Sequence, residues 1–347
     1  MNIINSIEII QPDDWHVHVR EGEMLKAVIE SSSRINNRCI VMPNLNKPIT
    51  SVKMGVEYKK QISNLIKVNS FTPLLPCYLT DSLDLLDFKN GLEQQVFVGA
   101  KFYPTNATTN SSFGVSKIEN IFSALEILSD LAKPLLIHGE KIRDDIDIFD
   151  RESVFIDEDL TLIREKFPNL KIILEHVSSK YGADFVNNNK NISATITPQH
   201  MMLTKKDVFF NDFVNPHHLC MPVVKNESDL IALRDYACSG NDKFFLGTDS
   251  APHHIESKKL DYKSSPGIFS SPCSIELYAT IFEEENSIDN LESFASINGP
   301  KFYELPINSS KIILEKNKWL VPEFTIYKDI KIKNFMAGKE INWKVKK

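Results

Sequence analysis

Short apolar runs recur along the chain, and the stretches between them place apolar residues three or four apart. The first run, Ile7-Glu8-Ile9-Ile10, leads directly into Asp14-Trp15-His16-Val17-His18-Val19-Arg20, which reads as the end of an opening strand. Helical spacing follows at 23–30, and 38–42 reads as a buried strand ended by Pro43-Asn44. The alternation continues through a helix at roughly 51–67, a strand at 72–79, a short helical piece in the 80s and a strand at 96–101. Helices at about 116–131, 158–167 and 179–188 then lead to strands at 134–138, 171–176 and 192–196, and a helix at 229–237 leads to Phe244-Phe245-Leu246-Gly247-Thr248-Asp249. Strands that are apolar throughout and alternate with helices predict an α/β fold with a parallel sheet covered on its outer face. Eight such units over about 250 residues predict a (β/α)8 TIM barrel. A doubly wound open sheet is the alternative, and it is weakened because no glycine-rich phosphate loop follows the first strand.

Beyond Asp249 the pattern changes. A loop with Pro252, Pro266 and Gly267, a helix near 273–285 and short segments such as Lys311-Ile312-Ile313-Leu314 and Phe324-Thr325-Ile326-Tyr327 predict barrel-covering helices and a small β appendage. The expected division is a barrel over 1–305 and a short C-terminal helical and β extension over 306–347, packed on the barrel.

Composition narrows the function by exclusion. With 42% hydrophobic and 25% charged residues, a chain of 347 residues can bury a large core. A net charge of −6 without a Lys/Arg block argues against nucleic acid or an anionic membrane as the main partner and favours a small-molecule substrate. Cys39, Cys77, Cys220, Cys238 and Cys273 are odd in number and form no CxxC pair, so buried reduced thiols are expected rather than disulfides or a thiolate zinc site. The first five residues lack a cationic start and an apolar core, and nowhere do about 18 apolar residues run together, which predicts a soluble, cytoplasmic protein.

The strand ends carry the chemistry. Residues i and i+2 of a strand share a side, so His16 and His18 can grip one metal ion while Arg20 continues the row as an anion binder. Lys101, His138, His176 and Asp249 fall at the carboxyl ends of later strands, the face on which barrel enzymes build their sites. Four histidines and one aspartate can hold two divalent ions but leave a poor bridge between them. Lys101 can complete it: an ammonium beside two dications loses its proton, and the neutral amine takes up CO2 to give a carbamate with two anionic oxygens. The alternative for Lys101 is a side chain reaching from a strand end to solvent. Directly after it, 104–114 is small and polar and reads as a lid or as a plain surface loop.

The segments DWHVHVR at 14–20, MPN at 42–44, GAKFYPTN at 99–106, IHGE at 137–140, EHV at 175–177 and GTDSAPH at 247–253 resemble the metal and substrate motifs of the dihydroorotase family, compact bacterial type, within the amidohydrolase superfamily. The resemblance runs in order from about residue 8 to 305. It implies a zinc-dependent cyclic amide hydrolase that interconverts (S)-dihydroorotate and N-carbamoyl-L-aspartate in pyrimidine biosynthesis. One metal ion is expected on His16, His18, Lys101 and Asp249 and the second on Lys101, His138 and His176, which makes two Zn2+ per subunit, bridged by carboxylated Lys101 and a hydroxide. Asp249 is then the catalytic base, Arg20, Asn44 and His253 hold the substrate carboxylate, and Thr108 and Thr109 contact substrate from a closing loop. Met221 and Pro266 are expected to act through backbone groups, and since proline has no N–H any backbone contact at 266 is its carbonyl or shifts to Gly267. A homodimer is also implied. The rivals are a related binuclear amidohydrolase such as a hydantoinase, which need not use Arg20, Asn44 and His253 together, and a non-catalytic scaffold, which predicts missing ligands.

Overall fold

The computed structural model describes residues 4–67, 71–210, 213–260 and 264–346; the first three residues of the opening segment lie outside these. Eight parallel strands form a (β/α)8 barrel: Asp13–Val17, Arg38–Val41, Thr72–Leu74 continued by Cys77–Tyr78, Ala100–Phe102, Leu135–Ile137, Ile172–Leu174, Ile192–Ile196 and Phe244–Leu246. The third strand is in two pieces because Pro76 has no N–H for the ladder, and pairing resumes where Cys77 N donates to the Gly99 carbonyl. The barrel closes between its last and first strands, where Asp249 N donates to the His16 carbonyl at 2.9 Å and His18 N to the Ser250 carbonyl at 3.0 Å.

Side-chain alternation sorts the strand residues into two layers. Trp15, Ile40, Met42, Leu136, Ile173 and Phe245 form an interior cluster, whereas Val17, Val41, Leu135, Ile137, Ile172, Leu174 and Leu246 pack in the layer beneath the helices. Lys101 pairs in register with Leu136, and Leu136 with Ile173, so Lys101 belongs to the inward row. The first strand changes parity on the way up: its register shifts between Asp14 and Val17. This irregularity lets Trp15 plug the barrel while His16 and His18, above it, also turn inward. At the other end of the barrel the helix Asn298–Tyr303 covers Trp15, with the Tyr303 ring stacked on it at 4.5 Å. Gly299 is required there, since a Cβ would lie 1.9 Å from Trp15 Nε1.

Three elements differ from the sequence expectation. The run Ile7-Glu8-Ile9-Ile10 does not open the barrel. It lies in a separate strand, Ser6–Ile10, which pairs antiparallel with Lys311–Leu320, itself paired to Glu340–Val345. Gln11-Pro12 breaks the chain between the two strands, because Pro12 cannot continue a ladder. Residues 96–99 bend round Pro134 rather than extend the fourth strand, so Lys101 is the centre of a three-residue strand and not its end. The fifth helical segment starts earlier, at Arg151–Phe155, and reaches Thr161–Lys166 through a π-helical turn at Ile156–Leu160. Among the described residues, no helix is long and apolar enough to cross a membrane.

Candidate active site

Six of the barrel strands deliver polar site residues within three positions of their carboxyl ends, and the ladder continues far enough to aim several of them. His138 N donates to the Phe102 carbonyl, Glu175 N to the Ile137 carbonyl, and His176 N to Thr195 Oγ1 at 2.7 Å. Beyond these bonds the backbone turns sharply: Arg20, His176 and Asp249 hold left-handed conformations with φ of 59°, 42° and 44°. Such a conformation costs a non-glycine residue about 1–3 kcal/mol and persists where the surroundings over-determine it.

Imidazole nitrogens converge in two pairs. His16 Nε2 and His18 Nε2 are 3.4 Å apart, and Asp249 Oδ1 lies 3.3 Å from the first and 3.1 Å from the second. His138 Nδ1 and His176 Nε2 are 3.2 Å apart. All five residues are buried, and ring nitrogens drawn together beside a carboxylate suit a shared cation. His16, His18 and Asp249 form one group able to hold a metal, and His16, Glu175 and His176 another. Lys101 is fully buried below them, its Nζ against Glu175 Oε2, while Glu175 Oε1 lies 3.0 Å from His16 Nδ1. The donor set therefore fits divalent metal ions.

Burial dominates the electrostatics. It holds the Lys101 amine well below its usual value, and it lowers His16, His18 and His176 toward the neutral form that ligates metal. It pushes the Asp249 carboxyl up to about 7 and Asp14 up to about 6. Asp14 supports the site from behind, accepting from Thr248 N at 2.9 Å and Thr248 Oγ1 at 2.6 Å.

One cavity at the mouth of the barrel collects most of the sequence-expected residues. His16, His18, His138, His176 and Asp249 line it, and so do Arg20, Asn44, Thr108, Thr109, Met221 and Pro266. Lys101 lies beneath it. His253 does not line it but backs it through Arg20, whose Nη2 is 3.0 Å from His253 Nε2 and whose Nε donates to the Pro252 carbonyl, and through the Pro266 backbone. The Gly267 N–H is taken by the Leu219 carbonyl at 2.8 Å.

Gly267, the expected alternative to Pro266, also lines the cavity. Three participants escaped the sequence reading: Tyr103 lines the cavity, Glu175 meets Lys101, and Glu140 Oε2 is 2.7 Å from His138 Nε2. A signal existed for each polar one: Tyr103 is two residues beyond Lys101 on the same face, and Glu140 and Glu175 flank expected ligands within recognised motifs.

No protein-family model matches the chain. A dihydroorotase from Escherichia fergusonii is 45% identical over 343 residues, covering 98% of each chain. Among solved structures, a dihydroorotase from Saccharomyces cerevisiae in complex with 5-fluoroorotic acid superimposes with a TM-score of 0.91 at 33% identity, over 99% of each chain. An L-hydantoinase (dihydropyrimidinase) from Arthrobacter aurescens shares the fold, with a TM-score of 0.82 at 17% identity over 97% of this chain and 82% of its own. A barrel whose mouth gathers paired imidazoles, a carboxylate and an arginine, in a chain this similar to those relatives along nearly its whole length, belongs to the dihydroorotase family.

Proposed function

We propose that the chain interconverts (S)-dihydroorotate and N-carbamoyl-L-aspartate, the cyclic amide step of pyrimidine biosynthesis, as a cytoplasmic homodimer. The observation that carries this reading is the placement of the paired imidazoles and Asp249 in the same cavity as Arg20 and Asn44, so that a metal centre and an anion clamp face one substrate. His16, His18 and Asp249 would hold one zinc ion and His138 and His176 the other, with carboxylated Lys101 between them. When bound, two such ions acidify a water and polarise the ring carbonyl.

The remaining work falls to the chain. Arg20 offers a bidentate grip on the ring carboxylate, held in place by its bonds to Pro252 and His253. That grip fixes which amide bond faces the metal site. The Asp249 carboxylate takes the proton of the attacking water and passes it to the ring nitrogen as the amide opens. In the reverse direction Asp249 removes the proton from the carbamoyl nitrogen as the ring closes. Thr108 and Thr109 lie over the cavity from the loop after Lys101 and help exclude bulk water. Residues 1–305 carry the chemistry, and 306–347 serve as an extension that secures the barrel.

A hydantoinase would use the same metal site on a ring without the carboxylate, which leaves Arg20 and its support without a task. The deciding experiment is metal analysis and assay of carbamoyl-aspartate cyclisation on one purified sample. Two zinc equivalents per chain, with activity lost on chelation and regained with zinc, are expected. A metal-free preparation of full activity, or turnover of hydantoins but not dihydroorotate, would overturn the proposal.

A further inference from the structure

Glu140 is fully buried two residues beyond His138, yet among the described residues its carboxylate has a single hydrogen-bonding partner. Oε2 meets His138 Nε2 at 2.7 Å, and Oε1 has no partner among the described residues. The neighbouring cation does not neutralise it: Lys141 is bonded to Asp159 and paired with Glu158. Burying a carboxylate for one bond is costly, so the bond it makes matters.

A carboxylate can only accept, so Nε2 of His138 must carry the ring proton. A neutral imidazole has one N–H, which leaves Nδ1 as a bare lone pair, and Nδ1 is the atom that faces His176 Nε2 at 3.2 Å. Without Glu140 the proton is free to sit on Nδ1 and donate to His176, joining the two rings to each other and consuming both lone pairs. The carboxylate prevents that internal bond.

We infer that Glu140 is a positioning residue that fixes His138 in the Nε2–H tautomer, so that it presents Nδ1 beside His176 Nε2 as a ready metal-binding pair. The inference deepens the metal-centre reading and rests on it. Carboxylates placed this way behind a ligating histidine typically change metal affinity 10- to 100-fold when removed.

The test compares Glu140→Leu and Glu140→Gln with the parent chain, using 15N-histidine spectra that report the ring tautomer and zinc affinity measured by chelator competition. His138 is assigned by the signal lost in His138→Gln. In the parent, zinc-loaded or chelator-treated, His138 should be the Nε2–H tautomer. Glu140→Leu should mix the tautomers in the chelated protein and weaken one of two zinc sites by 10- to 100-fold, with the other unchanged. Glu140→Gln, which keeps an acceptor oxygen, should recover most of both. An unchanged His138 tautomer in Glu140→Leu, or zinc affinities equal to the parent with only the melting temperature lowered, would overturn the role. A parent chain that takes up no zinc would instead sink the metal reading, and the tautomer spectra would still decide what Glu140 does.

Discussion

Asn44 and Thr109 are tied across the mouth of the barrel: Asn44 Nδ2 donates to the Thr109 carbonyl at 2.9 Å, and the Asn110 amide returns a bond to the Asn44 carbonyl at 3.0 Å. A residue at the end of the second strand thereby latches the loop that follows the fourth. Asn44→Ala removes one bond of this latch, so hydrogen exchange across 105–114 should rise, and kcat/KM should fall by about 10- to 100-fold if Asn44 also meets the substrate carboxylate. Identical exchange in the variant and the parent would show that the latch has no hold on the loop.

Arg20 makes its polar contacts with His253 and Pro252 at the cavity and is not part of the core. Arg20→Met should leave metal content and melting temperature close to those of the parent. Its kcat/KM for dihydroorotate should drop by an amount worth about 2–4 kcal/mol, as expected for a lost charged partner. Steady-state kinetics beside a metal count check this.

Asp249→Asn keeps the shape of the side chain but removes its basicity. Hydrolysis should fall by at least about 10²–10⁴-fold, and the acidic limb of the pH–rate profile should disappear with it. A variant that retained both would place the base elsewhere.

Lys101→Ala should hold fewer than two zinc equivalents and lose activity, and a short carboxylic acid added to it should restore part of the rate by filling the vacated space. In the parent, reconstitution with zinc and labelled bicarbonate should give a carbamate signal by 13C NMR. An unmodified amine in fully active, fully loaded protein would remove the bridge from the mechanism.

Behind His176 runs a buried chain of charge: Lys225 Nζ donates to Ser178 Oγ at 2.6 Å, and Ser178 donates through Oγ at 2.7 Å and N at 2.9 Å to Glu152 Oε2. Lys225→Met removes the charged donor to Ser178 at the head of this chain, which should cost about 1–3 kcal/mol. Thermal unfolding should show the loss, and adding Glu152→Gln should recover part of it.

The barrel was legible because its strands are apolar on both faces, and the site because strand ends on one face must converge. His16 and His18 were readable as a row, since the i, i+2 rule holds locally. It fails one step back, where the register shift between Asp14 and Val17 brings Trp15 to the same interior, and no residue type announces that shift. Ile7 to Ile10 was misplaced because an apolar strand of an outer sheet looks like a barrel strand until its partner, far along the chain, is known. Glu175 was hidden for the same reason: its contact, Lys101, is 74 positions away. Glu140 had no such excuse of distance. Its role depends on which ring nitrogen His138 turns toward it, and letters do not encode that.

The sheet that joins Ser6–Ile10 to Lys311–Leu320 has a bearing on how the molecule is made. A nascent chain carries Ser6–Ile10 with no partner for it until Lys311–Leu320 has been made. The barrel seam obeys the same schedule, because His16 and His18 are locked by backbone bonds to Asp249 and Ser250. His16 and His18, made early, are therefore fixed only once the eighth strand and the residues after it have been made.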